Sequence, residues 1–203
     1  MVVGLVAEAV AWWMVAFRRA DIWRVVTPVL AALGIASLIV GPPPWSPDVS
    51  SSVALAVGVV TGIALYIATR LFFAIVGGWR PLREQSIAMY RKQGTLSLPI
   101  VLVLSLAVSV PGEELFWRGL FQLQLTDAVN GAALGAVLGW AGFVLANTAS
   151  WNLAIIAGAV VGGAAWAGLC WWCGGVAAPL ACHLVWTGLM LVLPVVRVPP
   201  EAP

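Results

Sequence analysis

Residues 96–125 read LSLPIVLVLSLAVSVPGEELFWRGLFQLQL. The run is almost wholly apolar, yet Glu113, Glu114 and Arg118 stand near its middle. A helix of about 20 apolar residues crosses the hydrocarbon core of a bilayer, so this segment spans with length to spare. Pro111 and Gly112 predict a kink immediately before the acids, because proline removes a rung of the hydrogen-bond ladder. Each central charge costs roughly 2.5–3.5 kcal/mol even on the lenient insertion scale, and three cost on the order of 8–10 kcal/mol before pairing. Glu114 and Arg118 are spaced i, i+4 with the acid first, the favourable order for an ion pair on one helix face, and Gln122 continues that face. Glu113 points about 100° away around the helix and has no comparable local partner.

The rest of the chain is of the same kind. Of its 203 residues 62% are hydrophobic and 9% charged, and the mean hydropathy is +1.02. A soluble domain carries about 25% charged residues, so this chain lacks the polar side chains to cover a water-soluble core. Apolar segments near 2–17, 23–41, 53–77, 96–125, 131–148, 153–173 and 176–195 predict an all-α, polytopic transmembrane helical bundle of about seven spans. The first segment is short and contains Glu8, so the number becomes six if it lies at the interface. Residues 1–95 form a region of N-terminal transmembrane helices ending in an amphipathic elbow, PLREQSIAMYRKQG, along the membrane surface. Residues 96–203 hold the embedded polar positions.

Charge distribution narrows the classes further. Ten basic residues give a net charge of only +2 and form no phosphate-binding face, which excludes nucleic acid as a partner. Arg18, Arg19 and Arg24 flank the second span, and Arg80, Arg83, Arg91 and Lys92 follow the third, whereas the loop GPPPWSPDVSS has no Lys or Arg. The positive-inside rule places 18–24 and 78–94 in the cytoplasm and 42–52 outside. The first helix carries Glu8 and no basic n-region, which argues against a cleaved signal peptide. Twelve tryptophans suit an aromatic belt at the headgroups. Glycine stripes at Gly58/Gly62, Gly131/Gly135/Gly139 and Gly158/Gly162 predict close helix approach. Cys170 and Cys173 form a CxxC inside an apolar run and read as small buried hydrophobes rather than a redox or zinc pair.

Two further polar positions lie on later helices in pairs that share a face at i, i+4: Phe143 with Asn147, and His183 with Thr187. Counting 1.5 Å per residue from the intervening turns, Glu113 and Asn147 differ by about 5 Å in depth, which permits one common site. Among the midspan tryptophans, Trp140, Trp166 and Trp186 read as packing residues, while Trp117 is a candidate for lining a substrate groove.

Taken in order, Glu113-Glu114-x-x-x-Arg118, Phe143-x-x-x-Asn147 and His183-x-x-x-Thr187 resemble the CAAX protease and bacteriocin-processing family of intramembrane proteases. That family's motifs are EExxxR, FxxxH and HxxxN or a close variant. The resemblance covers roughly residues 97–195 and implies a helical membrane peptidase. It implies that Glu113 is the base toward water, that His183 donates to the oxyanion, and that the Glu114–Arg118 pair holds its helix in place. The water-activating histidine of the second motif is replaced by Asn147, and the oxyanion asparagine of the third by Thr187. Asn147 can orient a water but cannot take a proton at neutral pH; Thr187 keeps one hydroxyl donor. With a single histidine in the chain, a zinc site is disfavoured, and no cofactor is expected.

The resulting expectation is an intramembrane glutamic endopeptidase, multi-pass in a bacterial plasma membrane, acting on a membrane-associated peptide or protein. Its candidate site is Glu113, Glu114, Arg118, Asn147, His183 and Thr187. The rival is a weak or inactive relative serving as an immunity or scaffold membrane protein. A small transporter has less support, because no inverted repeat is visible.

Overall fold

A computed structural model describes residues 1–92, 94 and 96–198. Among these the regular structure is helical throughout: α1 (Val2–Phe17), α2 (Ile22–Val40), α3 (Ser51–Val76), α4 (Arg80–Arg91), α5 (Leu98–Val129), α6 (Ala132–Thr148), α7 (Leu153–Cys173) and α8 (Ala177–Val192). Four of them, α2, α3, α5 and α7, are long and apolar enough to cross a membrane, and α1, α6 and α8 are shorter apolar helices. The protein is an integral membrane bundle. Large apolar side chains such as Val3, Ile39, Val60 and Ile75 stay exposed on its outside, where lipid rather than water solvates them.

The amphipathic elbow is α4. It buries Leu82 and Ser86 and is tied to the start of α7, where Asn152 Nδ2 donates to the Gln85 carbonyl at 3.2 Å and the Leu153 amide donates to Gln85 Oε1. Asn152 also caps α7, its Oδ1 accepting from the amides of Ala154 and Ile155. The opposite end of the bundle is closed by the proline-rich loop. There the Pro44 and Trp45 carbonyls accept from the amides of Val176 and Ala177 at 3.1 and 2.9 Å. These are donors that the first turn of α8 leaves without an intrahelical partner. Gly174 adopts φ +70°, and a Cβ there would lie 2.5 Å from Asp48 Oδ2.

Glycines set the helix spacing, though not at every stripe. A Cβ on Gly58 would lie 2.4 Å from the Ala178 carbonyl oxygen, and one on Gly62 would lie 2.6 Å from that of Cys182, so α3 and α8 meet backbone to backbone. Gly135 and Gly139 admit Thr126 and Gln122 of α5 in the same way, whereas a Cβ on Gly131 would meet only ordinary contacts, the nearest at 3.7 Å. The Gly158/Gly162 stripe behaves differently from the expectation. Gly158 has only the Trp186 ring at 3.5 Å, and Gly162 makes room for the indole of Trp166 on its own helix.

Helix α5 carries two wide turns, at Leu104–Ser109 and Trp117–Gln122, on either side of the turn that bears the acids. The first precedes Pro111, whose ring would clash with the carbonyl of residue 107 in a regular helix; a π-turn relieves that clash by widening the spiral. Gly112 has a separate task. A Cβ there would sit 2.3 Å from the Leu30 carbonyl oxygen, so this glycine lets α2 cross against α5 beside Glu113.

Helix α1, at 16 residues about 24 Å long, packs along α2 and α6 as part of the bundle. It buries Glu8, Ala11, Trp12 and Val15. Glu8 is therefore turned inward among helices.

Candidate active site

The wide turns of α5 aim consecutive acids at different environments. Glu114 and Arg118 go into the protein interior, with side chains 0% and 2% exposed and Arg118 NH1 3.4 Å from Glu114 Oε1. The same carboxylate oxygen lies 2.7 Å from His183 Nδ1. The local ion pair expected from i, i+4 spacing is thus also a bridge from α5 to α8. Neither terminal nitrogen of Arg118 makes a hydrogen bond. Instead the guanidinium lies over the rings of Phe143 at 4.5 Å and Trp166 at 5.3 Å, a cation–π arrangement worth about 2 kcal/mol or more when desolvated. The aromatic residue of the second motif thereby covers the arginine of the first.

Trp166 also stacks on His183, with ring centroids 3.6 Å apart and planes 15° from parallel. The imidazole is held on its face by the indole and on Nδ1 by Glu114. Its other nitrogen, Nε2, is the one left for the adjoining cavity, which His183 lines. A hydrogen bond on one ring nitrogen sets the role open to the other. With Nδ1–H given to the carboxylate, Nε2 accepts in the neutral ring and donates in the protonated one.

That cavity has a volume of about 580 Å³, within the usual range for small-molecule sites. Its walls are mostly apolar and come from every helix of the bundle. Glu113, Asn147, His183 and Thr187 all line it, as do Trp166 and Trp186. It reaches Leu82, Met89 and Tyr90 of α4 at the basic end of the bundle. Among the described residues Glu113 is half-buried and makes no side-chain hydrogen bond. At the rim, burial holds the Tyr90 phenol above its ordinary range, and its neutral hydroxyl donates to the Met190 carbonyl at 3.0 Å.

The six residues singled out from sequence thus fall into two sets. Glu113, Asn147, His183 and Thr187 share the cavity wall; Glu114 and Arg118 sit behind it and brace His183 and the aromatic rings. Trp117 does not line the cavity. It is 1% exposed, and its Nε1 donates to Glu8 Oε2 at 2.6 Å. Glu8, which the motifs do not include, thus touches Asn147 from behind. Its other oxygen accepts from Asn147 Nδ2 at 3.2 Å. The signal was available, since an acid inside an apolar helix is a functional candidate by default.

No set of three or more His, Cys, Asp and Glu side chains among the described residues is arranged to hold a metal ion. Glu114 and His183 already use their facing atoms on each other. Cys170, Cys173 and Cys182 are buried and unpaired.

An all-α integral membrane bundle with a charged cluster behind an apolar, acid-lined cavity is the class that these features define. Residues 95–189 match the family model described as Type II CAAX prenyl endopeptidase Rce1-like, which bears out the relationship to the CAAX protease family that the three motifs suggest. No curated protein and no solved structure matches the chain.

Proposed function

We propose that the protein is an intramembrane endopeptidase that hydrolyses a peptide bond of a membrane-associated peptide or protein, using a water activated by Glu113. The observation that carries this reading is the Glu113 carboxylate itself, free of protein partners on the wall it shares with Asn147, His183 and Thr187. A half-buried acid kept without a partner does no work as a fastener but is suited to handling a proton. Glu113 takes a proton from water as the oxygen attacks the carbonyl carbon. The Thr187 hydroxyl, and His183 when its Nε2 carries a hydrogen, donate to the oxyanion. Collapse breaks the C–N bond, and the leaving amine receives the proton that Glu113 holds. Glu114 supports the step by orienting His183, as the third member of a catalytic triad orients its histidine. The mechanism needs no metal, and its setting is the plasma membrane of a bacterial cell.

The test is turnover by the purified protein in liposomes. The probe is a quenched fluorogenic peptide ending in a farnesylated cysteine, two aliphatic residues and a methionine. Glu113→Gln is expected to lose about 10²–10⁴-fold in kcat, the usual contribution of a general base. Cleavage by that variant at the wild-type rate sinks the assignment. The replacement of the two motif residues by Asn147 and Thr187 favours a second reading, an inactive relative acting as an immunity or scaffold protein. That reading predicts that cellular function survives Glu113→Gln.

A further inference from the structure

Glu8 lies far outside the matched region, on α1, and is 1% exposed. No cation bonds to it; its hydrogen-bond donors are the Trp117 indole at 2.6 Å and the Asn147 amide at 3.2 Å. A carboxylate held only by neutral donors is an expensive way to join helices, since an uncharged side chain would do so without desolvating a charge. What a carboxylate offers, and an amide does not, is two acceptor oxygens and no donor.

That property decides the orientation of Asn147. Nδ2 donates to the Phe143 carbonyl at 3.0 Å and to Glu8 Oε1 at 3.2 Å. Both partners are acceptors, so this end of the amide must be nitrogen and Oδ1 is turned away from them. Among the described residues Oδ1 has no hydrogen-bond partner, and Asn147 lines the same cavity as Glu113. We propose that Glu8 is a positioning residue of the active site, fixing Asn147 so that its Oδ1 accepts one hydrogen of the attacking water while Glu113 accepts the other. With both hydrogens directed to acceptors, the lone pair of the water faces the carbonyl carbon. One O–H bond breaks toward Glu113, the new C–O bond forms, and the hydrogen on Asn147 stays with the oxygen. Asn147 then aligns the water, and α1 belongs to the catalytic centre. This rests on the endopeptidase reading above.

The experiment compares wild type, Glu8→Gln, Asn147→Ala, the double variant and Glu8→Asp in liposomes with the same fluorogenic peptide. Glu8→Gln keeps the volume but gives only one accepting end for two donors. It is expected to lower kcat about 10²-fold, the scale of a misplaced reacting group, with KM within about twofold of wild type. In the Asn147→Ala background Glu8→Gln should cause no further loss, because the two act through one water. Glu8→Asp, which retains both acceptors, should recover at least about tenfold of the loss. A Glu8→Gln enzyme with wild-type kcat beside a silent Glu113→Gln overturns this proposal alone. So do losses that multiply in the double variant, which mark a merely structural role. Wild-type protein without Glu113-dependent turnover overturns the endopeptidase reading, and this proposal falls with it. If Glu8→Gln does not accumulate as folded protein, Glu8→Asp is read in its place, alone and with Asn147→Ala, for a smaller fall in kcat that is equally selective and non-additive.

Discussion

Removing the charge of Glu114 while keeping its shape isolates what holds the centre together. Glu114→Gln leaves an oxygen to accept from His183 Nδ1 but takes the anion away from Arg118, whose side chain is 2% exposed and 3.4 Å from the carboxylate. At that separation two unit charges attract by about 5 kcal/mol with an effective dielectric constant of about 20. Stripping one partner from a buried pair typically costs about 3–5 kcal/mol, because the other charge stays buried without compensation. The rings of Phe143 and Trp166 over the guanidinium return part of this, about 2 kcal/mol. The expected destabilisation is therefore about 1–3 kcal/mol. Equilibrium unfolding in mixed detergent micelles, followed by circular dichroism, measures it. The double variant Glu114→Gln with Arg118→Met should regain most of the loss, since it removes the orphaned cation. A loss below about 0.5 kcal/mol for the single variant, the size of an ordinary surface substitution, would refute the reasoning. So would a double variant less stable than the single.

Two other outcomes follow from the packing and the donor set. Gly58→Ala drives a Cβ to within 2.4 Å of the Ala178 carbonyl oxygen and should cost about 1–3 kcal/mol by overpacking. Gly158→Ala, whose nearest neighbour is a ring atom at 3.5 Å, should stay within about 0.5 kcal/mol of wild type; the same micelle unfolding assay separates them. Peptidase activity in liposomes should be unchanged after incubation with a strong chelator and removal of free metal, because the proposed chemistry runs on Glu113. A loss restored by added zinc contradicts it.

The helices were legible because lipid imposes a simple rule. Every backbone amide and carbonyl must be satisfied within its own segment, so apolar length maps onto helix. The expected segments 2–17 and 153–173 are α1 and α7 residue for residue, and the others differ by a few positions at their ends. The separation of Glu113 from Glu114 was legible for a similar reason. Neighbouring residues on a helix point about 100° apart, and here one acid faces the cavity while the other faces Arg118.

Partnership between helices was not legible. Residues 8 and 147 are 139 positions apart, and 114 and 183 are 69 apart; no local periodicity brings such pairs together. Glu8 read as a reason to doubt the first span, yet it receives the Asn147 amide. Trp117 read as a groove residue, yet its indole nitrogen is spent on Glu8. The Gly158/Gly162 stripe read as a helix contact, yet Gly162 makes room for the Trp166 indole.

Amino-acid order alone therefore determined the solvent, the helices, and which polar residues stand out of place in them. Tertiary structure decided which of those residues meet, because in a bilayer the hydrophobic effect holds helices in lipid without choosing their neighbours. That choice falls to close contacts such as Gly58 on Ala178 and Gly112 on Leu30, and these bring Glu113, Asn147 and His183 to one cavity.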